Sequence, residues 1–186
     1  MGDSLFPLIE RYHMRGVLIE PRPDMFERLR QNYAARYGLE GFTFVNVAIA
    51  RSEGVLNIYS IKPDVTGPDW LMGTASFDKN VLLQGLRGAA DPEALIRVEQ
   101  VKAVTFETLF ESYQVEAVDL LQIDAEGYDA EILRIFDFDR WRPAIVRFEH
   151  LHLSPQDYED ALKLLVGHQY KIGLSANDTI AYRALN

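Results

Sequence analysis

The sequence predicts an α/β fold with a mostly parallel sheet that closes in a C-terminal antiparallel hairpin. Two observations carry this prediction. Segments with apolar residues at helical spacing alternate along the chain with short apolar runs typical of buried strands. The final two runs, 170–174 and 179–183, flank the turn-forming pair Asn177-Asp178, which predicts the hairpin.

The individual elements follow from their apolar spacing and their end signals. Pro21 ends a predicted strand over 16–20, and the next helix begins near Pro23 and ends at Gly38. A further helix begins at Ser154, which provides a cap before a proline and an acid. The remaining predicted elements are, in order, helix 5–12, strands 42–49, 55–61 and 98–104, helix 106–113, strand 118–124, helix 127–136 and strand 144–149.

The composition fits a single domain over residues 1–186. The chain has 48% hydrophobic and 25% charged residues, close to the average of globular proteins. It contains no cysteine, which excludes disulfides, thiolate zinc sites and cysteine nucleophiles. The net charge of −9 repels phosphate backbones, so we expect no nucleic-acid partner.

The sequence carries no sign of a membrane segment or a secretory leader. No apolar run approaches the ~18 residues that a membrane span needs. The N-terminus lacks the basic and apolar regions of a signal peptide. We therefore expect a cytoplasmic protein without membrane association.

Residues 62–97 are expected to form an irregular insertion. Prolines and glycines interrupt every period there, although several of the residues are large and apolar. Long irregular segments inside compact domains usually carry function. We therefore expect a lid or an acceptor-binding insertion, with Trp70 and Met72 lining it.

Polar side chains follow four of the predicted strands. Ligands of open α/β sheets bind beyond the carboxyl ends of the strands, so these side chains are candidates for one shared site. They are Glu20, Asn46, Asp124, Glu126, Glu149, His150 and His152, and Ala48 is included with Asn46.

Each candidate has a functional and a structural interpretation. A carboxylate at Glu20 can accept both hydroxyls of a ribose, or it can cap the next helix. Asp124 and Glu126 flank the turn from a strand into a helix. A carboxylate there can orient a ligand amine, bind a metal or act as a general base, or it can cap helix 127–136.

The run from Glu149 to His152 allows three interpretations. If the strand continues, His150 and His152 share one face with the spacing of a metal pair, but only two ligands are local, so we expect no tightly held metal. His150 can act as a general base near neutral pH. It can also be a capping or packing histidine.

Four segments together resemble the FkbM-type methyltransferases. The string LQIDAEGYD over 121–129, followed by EIL over 131–133, is similar to the hallmark segment of that family. GVLIEP over 16–21, NVAI over 46–49 and RFEH over 147–150 match in order and spacing, so the resemblance covers nearly the whole chain.

The resemblance implies a Rossmann-like, class I fold that uses S-adenosylmethionine and methylates a hydroxyl. It implies that Glu20 holds the adenosine ribose, that residues 46–48 border the adenine, and that Asp124 lies near the methionine end or the acceptor. The implied cofactor-binding residues are Glu20, Pro21, Asn46, Ala48, Asp124 and Glu126.

The sequence departs from the family at its beginning. Family members open with a strand and a glycine-rich turn before the first helix, and no G-x-G occurs in these 186 residues. That strand lies between the Glu20 strand and the Asp124 strand. We therefore expect an N-terminally truncated sheet in which these two strands have unpaired edges or pair with each other, and in which exposed edges favour a homo-oligomer.

Three functions are compatible with these patterns. The first is S-adenosylmethionine-dependent O-methylation of a sugar or another small hydroxylated metabolite, with Asp124 or His150 as the base and Glu149 orienting. The second is a non-catalytic binding module that has lost the cofactor loop. The third is another nucleotide-using α/β enzyme, such as an oxidoreductase, against which the absence of G-x-G-x-x-G weighs.

Overall fold

The computed structural model describes residues 5–65 and 74–184, and it confirms the α/β class. The helices are α1 Phe6–Tyr12, α2 Pro23–Tyr37, α3 Lys79–Gly85, α4 Phe106–Ser112, α5 Asp129–Ile135 and α6 Pro155–Gly167, with a short 3-10 turn at Glu93–Leu95. The strands are β1 Gly16–Ile19, β2 Phe42–Val45, β3 Ala48–Ile49, β4 Gly54–Ile61, β5 Ala75–Ser76, β6 Ile96–Val104, β7 Leu120–Ile123, β8 Ile145–Glu149, β9 Lys171–Leu174 and β10 Asp178–Tyr182.

Within the described residues, the strands form three sheets rather than one mostly parallel sheet, so that part of the prediction is wrong. β1 and β2 form a parallel pair. β7 and β8 are parallel, and β10 and β9 extend them in antiparallel fashion, which confirms the C-terminal hairpin. The third sheet joins β3 in parallel to β6. β4 pairs with β6 in antiparallel fashion along the whole length of β4, and β5 pairs with β4.

The two strands that lead to Glu20 and Asp124 do not pair with each other. In the part of the chain that the structure describes, β1 pairs with β2 and β7 pairs with β8, each on one side only. Direct pairing of the two strands, one of the two expected arrangements, is therefore not adopted. The expected missing strand between them stays a prediction, and so does the single domain over residues 1–186.

The predicted strand over 42–49 is divided between two sheets. Val45 is the partner of Ile19 in β1, whereas Ala48 is the partner of Ala103 in β6. Between them, the side-chain amide of Asn46 donates hydrogen bonds to two backbone carbonyls that follow β1. These bonds fix the point at which the chain passes from the β1–β2 sheet to the sheet that contains β3. The apolar periodicity of the sequence does not reveal this change of sheet.

Residues 62–97 are more regular than expected. They contain β5, α3 and the 3-10 turn, and Asp78 caps α3 by accepting a hydrogen bond from the backbone N–H of Asn80. The prediction of an irregular stretch is therefore wrong for 74–97. The predicted lining residues Trp70 and Met72 lie outside the described residues.

One hydrophobic cluster connects the three sheets. It includes Val45 of β2, Ile49 of β3 and Val146 of β8, and helices α5 and α6 contribute Leu133 and Leu165. The predicted start of α6 is confirmed, because the side chain of its cap residue accepts a hydrogen bond from the N–H three residues on. Among the described residues, no helix combines the length and apolar character that crossing a bilayer requires.

An aromatic cluster fastens α1 and α2 to the β1–β2 sheet. Tyr33 is fully buried at its centre. Its ring lies edge-on to those of Phe6, Tyr37, Phe42 and Phe44, with centroid separations of 5.2–5.9 Å. Edge-to-face pairs of this kind add to the free energy gained by burial.

We expect Tyr33→Ala to lower the free energy of unfolding by about 3–5 kcal/mol, because it leaves a cavity among four rings. Urea unfolding measures the change. Tyr12→Ala is the matched control, since Tyr12 is 61% exposed, and it should stay within about 0.5 kcal/mol of the parent. Equal losses in the two variants would contradict the role given to the aromatic cluster.

Candidate active site

A crevice of about 350 Å³ lies at the carboxyl ends of β1 and β7, beside β3. This volume is within the range of ligand pockets, roughly 300–1,000 Å³. The structure brings together five of the residues selected from the sequence, which all line the crevice: Glu20, Pro21, Ala48, Asp124 and Glu126.

The rest of the crevice wall is largely apolar. Ile19, Ile58, Phe77, Phe106 and Ile132 contribute to it. A ligand in the crevice therefore meets carboxylates mainly at two places, Glu20 on one side and the turn after β7 on the other. Apolar walls with a few placed polar groups are typical of cofactor and substrate pockets.

Glu20 presents a partly buried carboxylate to the crevice. Its Oε1 accepts a hydrogen bond of 2.8 Å from the backbone N–H of Arg22, and no described residue donates to Oε2. Burial raises the pKa of Glu20, and the negative charge of Asp124 raises it further, while the Arg22 N–H acts in the opposite direction. The negative charges of Glu20 and Asp124 therefore repel each other across the crevice.

Asn46 does not line the crevice, but it holds the backbone of two residues that do. Its Nδ2 donates to the backbone oxygens of Glu20 at 2.8 Å and of Pro21 at 3.0 Å. These bonds hold the segment that carries the Glu20 side chain. Asn46 is exposed, so its amide lies at the protein surface.

The turn after β7 has an unusual backbone conformation. Glu126 has a φ of 49° and Gly127 has a φ of 97°. A positive φ is unfavourable for a residue with a side chain, so this conformation requires support from its surroundings. Ser76 of β5 provides one contact, because its hydroxyl donates a 2.6 Å hydrogen bond to the backbone oxygen of Glu126.

Gly127 also allows two chain segments to approach closely. A Cβ at this position would lie 3.1 Å from the Val81 side chain and 3.4 Å from the backbone oxygen of His152. The glycine of the 121–129 string is therefore needed both for its φ and for the contact with the 150–153 turn.

The side chain of Asp129 stabilises the same turn by hydrogen bonds to its backbone. This fully buried side chain accepts hydrogen bonds from the backbone N–H groups of Ala125, Gly127 and Glu149 at 3.2–3.3 Å. α5 begins at Asp129 with Tyr128 as its N-cap residue, so the alternative role of Asp124 as the N-cap residue is not adopted.

Three carboxyl groups around the turn have strongly raised pKa values, and burial is the largest cause for each. The pKa is about 7 for Glu126, about 7 for Asp129 and about 8 for Glu149. The charge of Asp124 raises all three further. Acid groups with pKa values near neutrality can exchange protons with a substrate at physiological pH.

His152 joins this acidic group. Its Nε2 lies 3.1 Å from Oε2 of Glu126 and 3.9 Å from Oε2 of Glu149. Burial lowers the pKa of His152. These three side chains have the donor atoms and the spacing to hold a metal ion.

His150 is directed elsewhere. Because β8 ends at Glu149, the strand does not continue, and the condition under which His150 and His152 would share a strand face is not met. The Nδ1 of His150 lies 3.1 Å from the hydroxyl of Thr179, and its ring packs against Tyr158 with a centroid separation of 5.1 Å. Neither His150 nor Glu149 lines the crevice.

Sequence reasoning assigned no role to Asp129 or Ser76, and it paired His152 with the wrong partner. Asp129 had a detectable signal, since an acid directly after a strand–glycine turn stands at the first position of a helix. Ser76 had none, because its contact with Glu126 bridges two distant parts of the chain.

We expect the free energy of unfolding to fall as the pH rises from about 4.5 to about 8. The folded protein keeps protons on Glu126, Asp129 and Glu149 that the unfolded chain, with ordinary pKa values of 3.8–4.5, has already released. This stability is complete below the unfolded values and is lost as the pH passes the folded values. The lowered pKa of His152 opposes the trend, but it is one group against three.

Urea unfolding between about pH 5 and about pH 8, in buffer with EDTA, measures this dependence. Glu149→Gln removes one of the three titrating groups and should flatten the curve. Glu116→Gln, an exposed carboxylate before β7, should leave it unchanged. A stability that rises across this pH range would contradict the assignment.

We expect Gly127→Ala to lower the free energy of unfolding by about 1–3 kcal/mol, because alanine is strained at this φ and its Cβ crowds Val81. Gly16→Ala is the control, since a Cβ there has no atom within 4 Å. Chemical denaturation of both variants measures the difference. Equal stabilities would show that the turn tolerates a side chain.

Comparisons with known proteins identify the family of the chain. A family model described as the methyltransferase FkbM domain matches residues 2–172, which include the described residues of the crevice. No curated protein and no solved structure matches the chain. Because the match spans most of the sequence, the chain belongs to the FkbM methyltransferase domain family.

Proposed function

We propose that the protein is an S-adenosylmethionine-dependent O-methyltransferase that acts on a sugar or another small hydroxylated molecule. The observation that carries this proposal is the placement of Glu20 and Asp124 on one crevice of about 350 Å³. Membership of the methyltransferase family supports the reaction class.

The crevice has the features that the nucleoside part of the cofactor requires. Oε2 of Glu20, to which no described residue donates, can accept hydrogen bonds from ribose hydroxyls. Pro21, Ala48 and Ile49 offer small apolar surfaces beside it for a base ring. We propose that these residues hold the adenosine in a Rossmann-like manner, while Asn46 fixes the backbone that carries Glu20 and Pro21.

When bound, S-adenosylmethionine supplies a methyl group that is activated for in-line transfer to a nucleophilic oxygen. The protein has to orient the acceptor hydroxyl and take its proton. We propose Asp124 as the base because it lines the crevice, whereas His150 is engaged with Thr179 and Tyr158. Glu126, with a pKa of about 7, can hold the released proton.

The acceptor side of the crevice involves the 74–77 segment. Ala75 and Phe77 line the crevice, and the Phe77 ring packs on Tyr128 with a centroid separation of 4.9 Å. We propose that the 62–97 segment selects the acceptor. The acidic net charge of −9 favours a small neutral or cationic acceptor over a nucleic acid.

Calorimetric titration with S-adenosylhomocysteine tests the cofactor site. We expect the parent protein to bind and Glu20→Gln to raise the Kd by at least about tenfold, because a charged acceptor of hydrogen bonds is lost. Glu27→Gln is the matched control, since this carboxylate is exposed on α2. Its Kd should equal that of the parent.

Two outcomes would overturn the proposal. Equal affinities of the parent and Glu20→Gln would remove the role of Glu20. No binding by a parent protein whose folding has been verified would favour the non-catalytic binding module.

A further inference from the structure

We propose that Glu126, Glu149 and His152 form a binding site for one divalent transition-metal cation at the edge of the crevice, on the side away from Glu20. The proposal goes beyond methyl transfer, and its test requires neither cofactor nor acceptor. It begins from the convergence of one imidazole and two carboxylates whose ligand atoms lie within 4.8 Å of one another.

The spacing of these atoms is close to that of a metal's coordination sphere. With metal–ligand bonds of about 2.0–2.2 Å, neighbouring ligand atoms are roughly 2.8–3.6 Å apart, from octahedral to tetrahedral geometry. Nε2 of His152 lies 3.1 Å from Oε2 of Glu126 and 3.9 Å from Oε2 of Glu149. Small rotations of the two flexible glutamate side chains would complete the geometry, with no change of the backbone.

One of the three proposed ligand atoms has no hydrogen-bond partner among the described residues. Oε2 of Glu149 is shielded from solvent and accepts no hydrogen bond from a described residue. A buried carboxylate oxygen without a partner is costly, because it has lost its hydration without compensation. A cation bound between Glu149 and His152 would provide the missing partner.

The charge balance of the cluster also calls for a cation. No lysine or arginine of residues 5–65 and 74–184 lies within ion-pair distance of Glu126 or Glu149, and His152 is the single basic side chain that does. Asp124 and Asp129 add two further carboxylates around the same turn. A divalent cation at this place would compensate the negative charges of Glu126 and Glu149 when both are ionised.

The donor set indicates which cations fit. An imidazole nitrogen with two carboxylate oxygens suits Mn²⁺, Fe²⁺ or Zn²⁺, whereas Mg²⁺ and Ca²⁺ prefer oxygen ligands alone. Three protein ligands leave coordination positions open. Because Glu126 also lines the crevice, an acceptor hydroxyl could fill one of these positions and become more acidic there.

Titration of the full chain with Mn²⁺ alone, followed by the electron paramagnetic resonance signal of free Mn²⁺, tests the site. We expect one Mn²⁺ per chain. Glu149→Gln and His152→Ala should each raise the Kd by at least about tenfold, because the first replaces a charged ligand with a neutral amide and the second removes a ligand. Glu116→Gln has the same change of charge at the opposite end of β7 and should bind as the parent does.

Folding of each variant is checked by circular dichroism in EDTA. If His152→Ala does not fold, Glu149→Gln decides, because it keeps the side-chain shape and the backbone N–H that donates to Asp129. Parent-like Mn²⁺ affinity in Glu149→Gln, or no stoichiometric binding by the parent, overturns the proposal. Since S-adenosylhomocysteine binding is measured separately, failure of one site does not imply failure of the other.

Discussion

The arrangement of the site depends on one buried carboxylate. Asp129 accepts three backbone N–H groups, two from the turn after β7 and one from the end of β8. A single side chain therefore fixes both strand ends that carry the acidic residues. Each buried N–H left without a partner costs about 1–3 kcal/mol, so little else in this region could keep its position without Asp129. The acid that ends the 121–129 string is thus a structural requirement of the turn that displays Asp124 and Glu126.

The same arrangement explains why the acidic residues have pKa values near neutrality. Asp129 holds Glu126 and Glu149 near each other and near Asp124, in surroundings that are partly closed to water. Burial and mutual repulsion both disfavour the charged forms. The protein accepts this electrostatic cost beside the crevice where we propose that methyl transfer takes place. Strongly perturbed pKa values caused by burial and neighbouring charges cluster at functional sites.

Features that depend on neighbouring residues could be predicted from the sequence, and features that depend on distant partners could not. α2 lies between Pro23 and Gly38 as predicted, and Ser154 caps α6, because caps act within one turn of the chain. The division of the 42–49 strand depends on which distant strands its two halves meet. The contact of His152 with Glu126 likewise forms only after the chain reverses beyond β8. Local periodicity contains no information about either.

The two walls of the crevice belong to different sheets. Glu20 follows β1 and Asp124 follows β7, and no ladder of backbone hydrogen bonds joins these strands in the described residues. The width of the crevice is therefore set by apolar packing, in which Val17 and Ile19 lie against the core cluster that includes Ile123. Packed apolar surfaces can slide by small shear displacements that hydrogen-bonded strands resist. A ligand that contacts both walls would restrict the relative motion of the two sheets. Part of its binding free energy would then be spent on making the protein more rigid.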